Sequence, residues 1–210
     1  MNAAMPNSSN YDTDALVQLA ASGDMRAVQH LMDRHRNQLR RMVDVRLDRR
    51  IAPRVDPSDI VQETLLTAHQ RLNEYLTTQA VPYYVWLRQL ATSRLIDLHR
   101  HHLRAQRRSV AREHQWSPTS VSDESALSIV NQLPAAEFSP SELVLRKELL
   151  RRVRQAMEQL STTDREVLIM RHLEELSVRQ VAEILDISEG TVKSRHFRAL
   201  SKLQRLLGNE

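Results

Sequence analysis

Apolar residues recur along most of this chain at spacings of three and four, the period of an α-helix with one buried face. Asp14 to Ala21 is predicted as a short helix, which Ser22, Gly23 and Asp24 end and restart. In the longer helix that follows, Val28, Leu31, Met32, His35, Leu39, Met42 and Val43 hold one face until Pro53 and Pro57 forbid continuation. His35 sits within that apolar stripe, so it is expected to be a packed core histidine rather than a ligand. A third helix starts at Asp56-Pro57-Ser58-Asp59, with Asp56 as N-cap, proline at the first helical position and Asp59 complementing the helix dipole. Its buried seam is Val61, Leu65, Ala68, Leu72 and Tyr75. Leu76 to Pro82 reads as a loop, and Tyr83 to about Arg108 as a fourth helix with Trp86, Leu90 and Ile96 inward.

The helical period then lapses. Residues 112–140 are rich in Ser, Pro, Thr, Gln and small side chains and read as a flexible linker, with Trp116 and Phe138 as its aromatic exceptions. About 28 such residues span roughly 90 Å fully extended and average roughly 30 Å as a relaxed coil. Helical spacing resumes from Ser141, with Leu150, Val153, Met157 and Leu160 on one face, and continues through Thr162 to His172. The last stretch holds two short amphipathic helices around a tight break. Val178, Val181, Ala182 and Leu185 line the first, with Ser177 as its N-cap. After Asp186-Ile187-Ser188, a helix capped by Ser188 begins at Glu189 and turns Val192, Ala199, Leu203 and Leu206 inward. Thr191, Lys193, Ser194, Arg195, Arg198, Lys202 and Arg205 remain outward. The expected fold is therefore all-α: a mobile N-terminus at 1–12, one small helical domain at 13–111, a linker at 112–140 and a second helical domain at 141–210.

Composition narrows the function classes. With 41% hydrophobic residues over 210 positions, both domains can hold packed cores, and only 3 Gly fits an almost strand-free chain. The absence of Cys excludes disulfides, thiolate zinc sites and a cysteine nucleophile. No stretch approaches the roughly 20 apolar residues of a membrane span, and the N-terminus lacks a basic-then-apolar signal pattern, so a cytoplasmic protein without membrane insertion is expected. His99, His101 and His102 bring no convergent third ligand, and no nucleophile–base pair, Gly-rich phosphate loop or paired catalytic carboxylates stand out. Neither a cofactor nor enzymatic activity is expected.

The formal net charge of +4 matters less than where the charge lies. A major groove admits one helix, and its base edges and phosphates favour Arg, Lys, Ser and Thr near that helix's N-terminus. The outward face starting at Thr191 has this composition, and which arginine would read a base is left open. A second basic cluster, Arg94, Arg100, Arg104, Arg107 and Arg108 with one acidic Asp97, closes the fourth helix and can neutralise phosphates. Asp59, Gln62 and Glu63, by contrast, form an acidic and amide face at i, i+3 and i+4 on the third helix, suited to a protein partner.

Taken together, these segments resemble the extracytoplasmic-function group of the bacterial sigma-70 family, the promoter-specificity subunits of RNA polymerase. DPSDIVQETLLTAHQRL is similar to the family's core-polymerase-binding segment, with Asp59, Gln62 and Glu63 at its diagnostic positions. VWLRQLATSRLIDLHR resembles the segment that melts and reads the minus-10 element, with Trp86, Asp97 and Arg100 in the expected places. LSTTDREVLIMRHLEELSVRQVAEILDISEGTVKSRHFRALSKL resembles the module that reads the minus-35 element. The chain departs from the pattern at Ser93 (usually Asn), Glu175 (often Gly), Gln180 (commonly Glu) and Asp186 (usually Gly). Aspartate tolerates the left-handed conformation, so the turn is expected to survive.

The resemblance implies core RNA polymerase and promoter DNA as partners, and an anti-sigma factor or other inhibitor. It implies minus-10 roles for Tyr75, Tyr83, Tyr84, Trp86, Ser93, Arg94, Arg100 and Arg104, with the tyrosines as candidates to receive a flipped base. Thr191, Lys193, Ser194, Arg195, Arg198 and Lys202 would meet the minus-35 element. Two other readings fit the residues alone: a dimeric helix-turn-helix repressor or activator, and an adaptor that binds only protein.

Overall fold

The computed structural model describes residues 12–47, 51–106, 151–153 and 155–208, and among them there is no β-strand. The first helices are α1 (Thr13–Ala21), α2 (Met25–Arg46), α3 (Pro57–Gln70), α4 (Leu72–Thr78) and α5 (Tyr83–Gln106). Their caps follow the sequence. Asp12, Asp24 and Asp56 each accept backbone N–H groups at the starts of α1, α2 and α3. The α2 stripe is fully internal, with Leu31, Leu39, Met42 and Val43 at 0% exposure. α1 packs on α2, and α3 packs on both α2 and α5. Each of those buried aliphatic side chains contributes on the order of 1.5–3 kcal/mol of transfer free energy.

Two expectations in this half need correction. The third helix does not run through to Tyr75: it ends at Arg71, and α4 carries Leu72 and Tyr75 in a new direction until Gln79 turns left-handed at φ 38°. The loop expected at 76–82 is correspondingly shortened, because Tyr75 donates its hydroxyl to the Val81 carbonyl at 3.1 Å and ties the chain down. α5 is also rotated from its expected phase. Tyr83, Tyr84, Val85, Leu87, Arg88, Ala91, Leu95 and His99 are its buried positions, while Trp86, Leu90 and Ile96 are only partly covered. The cause is a second packing partner for α5, on the side away from α3.

That partner is the carboxy-terminal half. Helical turns at 151–153 and 155–158 bury Val153, Met157 and Leu160. α6 (Thr162–Leu168) leads into a π-helical turn at Ile169–Leu173, followed by α7 (Val178–Leu185) and α8 (Glu189–Gly208). The expected linker, with Trp116 and Phe138, and Leu150 lie outside the described residues.

The two helical domains are docked. Tyr84 of α5 joins Val167, Met170, Leu176, Val181, Ala182 and Val192 in one apolar cluster, and Val45 of α2 joins Leu168, Ile169 and Leu203 in another. Four charged groups lie between these clusters. Arg46 donates to Glu174 at 2.9 and 2.7 Å and also to Glu166, while Arg88 donates to Glu174 at 3.2 Å through one nitrogen and more closely through the other. Glu174 is at 0% exposure. Burial alone would push its carboxyl up, but Arg88 and Arg46 together hold it below the usual carboxylate range.

Candidate polymerase-docking face and nucleic-acid interface

With Ile60, Val61, Thr64, Leu65 and Ala68 buried, α3 turns Asp59, Gln62, Glu63 and Leu66 outward as one stripe at i, i+3, i+4 and i+7. Leu66 was not among the expected site residues, yet it is 59% exposed. Beside it lies a shallow groove of about 290 Å³, lined by Glu63, Thr64, Leu66, Thr67, Leu90 and Arg94. Arg94 reaches across from α5 to pair with Glu63. The structure thus places Arg94, expected with the minus-10 set, on the acidic face of α3 with its charge met by a carboxylate. Opposite charges on adjacent packed helices bring the two together, and no spacing within one helix announces that.

The aromatic candidates gather in a knot under the start of α5. Tyr75 stacks on Trp86 at 4.6 Å and meets Tyr83 edge-on at 5.4 Å. His35 sits 5.6 Å from the rings of both Tyr83 and Tyr84. Tyr75, Tyr83 and Tyr84 are all buried, so the expectation that they flank an open loop, ready for a flipped base, is corrected in this form of the protein. An aromatic ring withdraws a large apolar area from water, and at the junction of α2, α4 and α5 that area is core. Only Trp86 keeps partial exposure. His35 is the core histidine expected: desolvation lowers its pKa to about 4, so the ring is neutral. Further along α5, Ser93, Asp97 and Arg100 are exposed and His99 is buried, while the Arg104 side chain lies outside the described residues. No cluster of three or more metal-ligating side chains occurs among the described residues.

In the carboxy-terminal domain the helix-turn-helix is built by local chemistry. The Ser177 hydroxyl accepts from the Gln180 backbone, and the Gln180 side chain accepts from the Ser177 N–H at 2.9 Å, so glutamine completes a capping box where glutamate is common. Asp186 takes the left-handed conformation, φ 52° and ψ 50°, and the turn forms without glycine. Ser188 then accepts from the Thr191 N–H at 3.1 Å and starts α8. Val192, Ala199 and Leu203 are at 0% exposure, which fixes the rotation of α8.

Its free face carries Lys193, Ser194, Phe197, Arg198 and Ser201. Thr191, Arg195 and Lys202 stand at the flanks, half-buried. Lys202 donates to the Gln159 carbonyl at 2.6 Å. Arg198 donates to Asp164 at 3.0 and 2.7 Å, a paired contact that holds the guanidinium in a set orientation and keeps the Asp164 carboxyl below its usual range. Phe197, 74% exposed amid these donors, was missed because an exposed aromatic has no signature in a helical pattern. On the inner flank, His196 of α8 stacks on His172 of the π-helical turn at 5.0 Å, and desolvation lowers the His172 pKa to about 4.

Comparison with known proteins decides what carries these faces. A family model described as Sigma-70, region 4 matches residues 150–203, the part that contains α6, α7 and most of α8. The ECF RNA polymerase sigma-E factor of Escherichia coli strain K12 is 30% identical over 188 residues, covering 88% of each chain. The chain belongs to the ECF sigma factors. The sigma-E factor of Salmonella typhimurium strain LT2 aligns to the same extent, and that of Haemophilus influenzae is 28% identical over 190 residues, 90% of this chain and 92% of the relative. The solved structure of CnrH in complex with the cytosolic domain of CnrY aligns at 25% identity over 95% of this chain and 99% of that one, with a TM-score of 0.49. This sigma factor therefore acts in transcription initiation through a carboxy-terminal DNA-binding helix-turn-helix. The dimeric repressor and the adaptor fall away as readings. No described helix is long and apolar enough to cross a membrane.

Proposed function

We propose that this ECF sigma factor engages core RNA polymerase through Asp59, Gln62, Glu63 and Leu66 on α3, and reads the minus-35 element through the exposed face of α8. What supports this most is the exposure of a complementary pair of faces on different domains: acidic with an apolar end on α3, donor-rich on α8. Carboxylate and amide acceptors flanking an exposed leucine suit a basic-rimmed protein surface, because charge sets the register while the leucine contributes burial. On α8, Lys193 and Ser194 lie nearest the helix N-terminus, and Arg198, held by Asp164, presents its remaining donors in a fixed plane. Phe197 is placed to pack on an apolar edge such as a thymine methyl.

On α5, Ser93 and Arg100 are exposed for the minus-10 strand, with Trp86 at the margin of the aromatic knot. Arg94 joins the polymerase face in this reading. Core polymerase, promoter DNA and a protein inhibitor are the partners, which places the factor in the cytoplasm. Adding the protein to core polymerase and scoring promoter-specific transcripts tests the reading: wild type initiates, while Glu63→Lys binds core polymerase more weakly without losing helical content. Unchanged capture of core polymerase by that variant removes α3 as the docking face.

A further inference from the structure

His172 and His196 face each other on the inner flank of the helix-turn-helix, one from the π-helical turn at Ile169–Leu173 and the other from α8. Their Nε2 atoms are 2.8 Å apart, the ring planes lie within 15° of each other, and both residues are half-buried, within reach of solvent. The backbone on either side is held by packing. Leu173 beside His172, and Val192 and Ala199 one turn before and after His196, are buried. Two elements that are 24 positions apart in the chain thus bring one imidazole nitrogen each to a common point.

Desolvation lowers the His172 pKa to about 4, with His196 and Arg171 adding to the effect, and desolvation and Arg171 lower that of His196. Both rings are therefore neutral at pH 7, the form in which imidazole ligates a metal. Without an ion one ring donates its Nε2 hydrogen to the other; with an ion that ring holds its hydrogen on Nδ1, a change of tautomer that releases no proton. The separation narrows the choice of metal. Two nitrogens about 2.0 Å from one ion stand about 2.8 Å apart at the right angle of a square-planar or tetragonal site, and about 3.3 Å apart at a tetrahedral angle. The observed gap matches the right angle. Arg171, held by its bond to the Leu176 carbonyl, repels an added cation as it repels an added proton, so only an ion that binds imidazole strongly can enter. Ni²⁺ and Cu²⁺ combine that strength with a tetragonal preference. Among the described residues no third His, Asp or Glu completes a cluster, which leaves the other positions to water.

We propose that His172 and His196 form a two-histidine site for a tetragonal divalent cation, Ni²⁺ or Cu²⁺, which pins α8 to the π-helical turn. Calorimetric titration of the full-length protein with NiCl₂ and, separately, CuCl₂ tests the site in wild type, His172→Gln, His196→Gln and, as a control for the histidines near the end of α5, His101→Gln. Wild type and His101→Gln are expected to share one strongest site, and each of the other two variants to bind at least tenfold more weakly. The melting temperature should rise with Ni²⁺ in wild type and stay constant in those two variants, because an ion bound only by the folded domain stabilises it by mass action. Unchanged binding in His196→Gln, or loss in His101→Gln in its place, overturns the proposal. Electron paramagnetic resonance of Cu²⁺-loaded wild type needs no variant: nitrogen couplings from two imidazoles are expected, and one or none rejects the pair as ligands. Zn²⁺ binding as tightly as Cu²⁺ rejects the tetragonal assignment.

Discussion

Glu63 and Glu174 are both glutamates facing arginine on a neighbouring helix, yet they stand in opposite surroundings. The Glu63–Arg94 pair is about half exposed on both sides, whereas Glu174 is wholly buried against two arginines. In water an ion pair is screened and its members are easily reassigned, so the first contact leaves both groups available to a partner. Within the domain interface each charge depends on the others being present. In the reading proposed above, the same chemistry serves as a docking surface in one place and as a fastening between domains in the other, and burial decides which.

The sharpest way to break this contrast is to remove one member of each pair. Glu174→Ala leaves Arg46 and Arg88 sharing Glu166 as their remaining carboxylate, which should weaken the docking of the domains by about 3–5 kcal/mol. Separation measured by a fluorophore pair placed across the domains would report it, and docking that survives the change would show that the apolar clusters alone suffice. A comparable effect should come from acid. The folded-state pKa of His35 is depressed from 6.5 to about 4, so the unfolded chain takes up a proton that the folded one excludes. Stability attached to this ring is fully present above pH 6.5 and is lost as pH falls toward 4, by on the order of 3 kcal/mol. Denaturant titrations of wild type and His35→Leu across that window check it: the variant should show a flatter acid limb.

Smaller effects belong to the exposed pair. Glu63→Lys is expected to weaken core-polymerase binding about tenfold, roughly 1.4 kcal/mol, with thermal stability unchanged. Direct titration of labelled core polymerase measures it, and an equal loss in a Glu158→Lys control, which makes the same charge change at an exposed site of the other domain, would mean that net charge rather than this face is responsible. Arg94→Ala should shift folding stability by no more than about 1 kcal/mol, since the pair it breaks is already hydrated. A larger shift in a denaturant midpoint would place the Glu63 contact with Glu174 among the fastenings.

Local chemistry explains what could be read beforehand. Asp56-Pro57, Ser177 with Gln180, Ser188 and the left-handed Asp186 act within four residues of themselves, so caps, turn and helix-turn-helix follow from neighbours in the chain. The α2 stripe and the outward Asp59, Gln62 and Glu63 follow equally from one helical period. What was not legible depends on partners distant in sequence. Arg46 and Glu174 are 128 positions apart, and neither residue type in its segment hints at burial. The phase of α5 failed for the same reason: a helix covered on two sides has a wider apolar arc than one period can resolve, so the inward line of Trp86, Leu90 and Ile96 left out Tyr84 and Arg88. Phe197 and Leu66 escaped notice because pattern reading assigns apolar residues to the core, and a binding face breaks that rule deliberately.

Glu175 occupies a left-handed backbone position, φ 56°, and its carboxylate reaches Arg41 of the other domain. A side chain at such a position costs on the order of 1 kcal/mol in backbone strain that glycine avoids. Relief of that strain and retention of the strut thus pull in opposite directions at a single site. A change to glycine would relax the local fold while loosening the embrace of the two domains. Exchange at this one position therefore changes how firmly the two domains are held together while the exposed faces of α3 and α8 stay as they are.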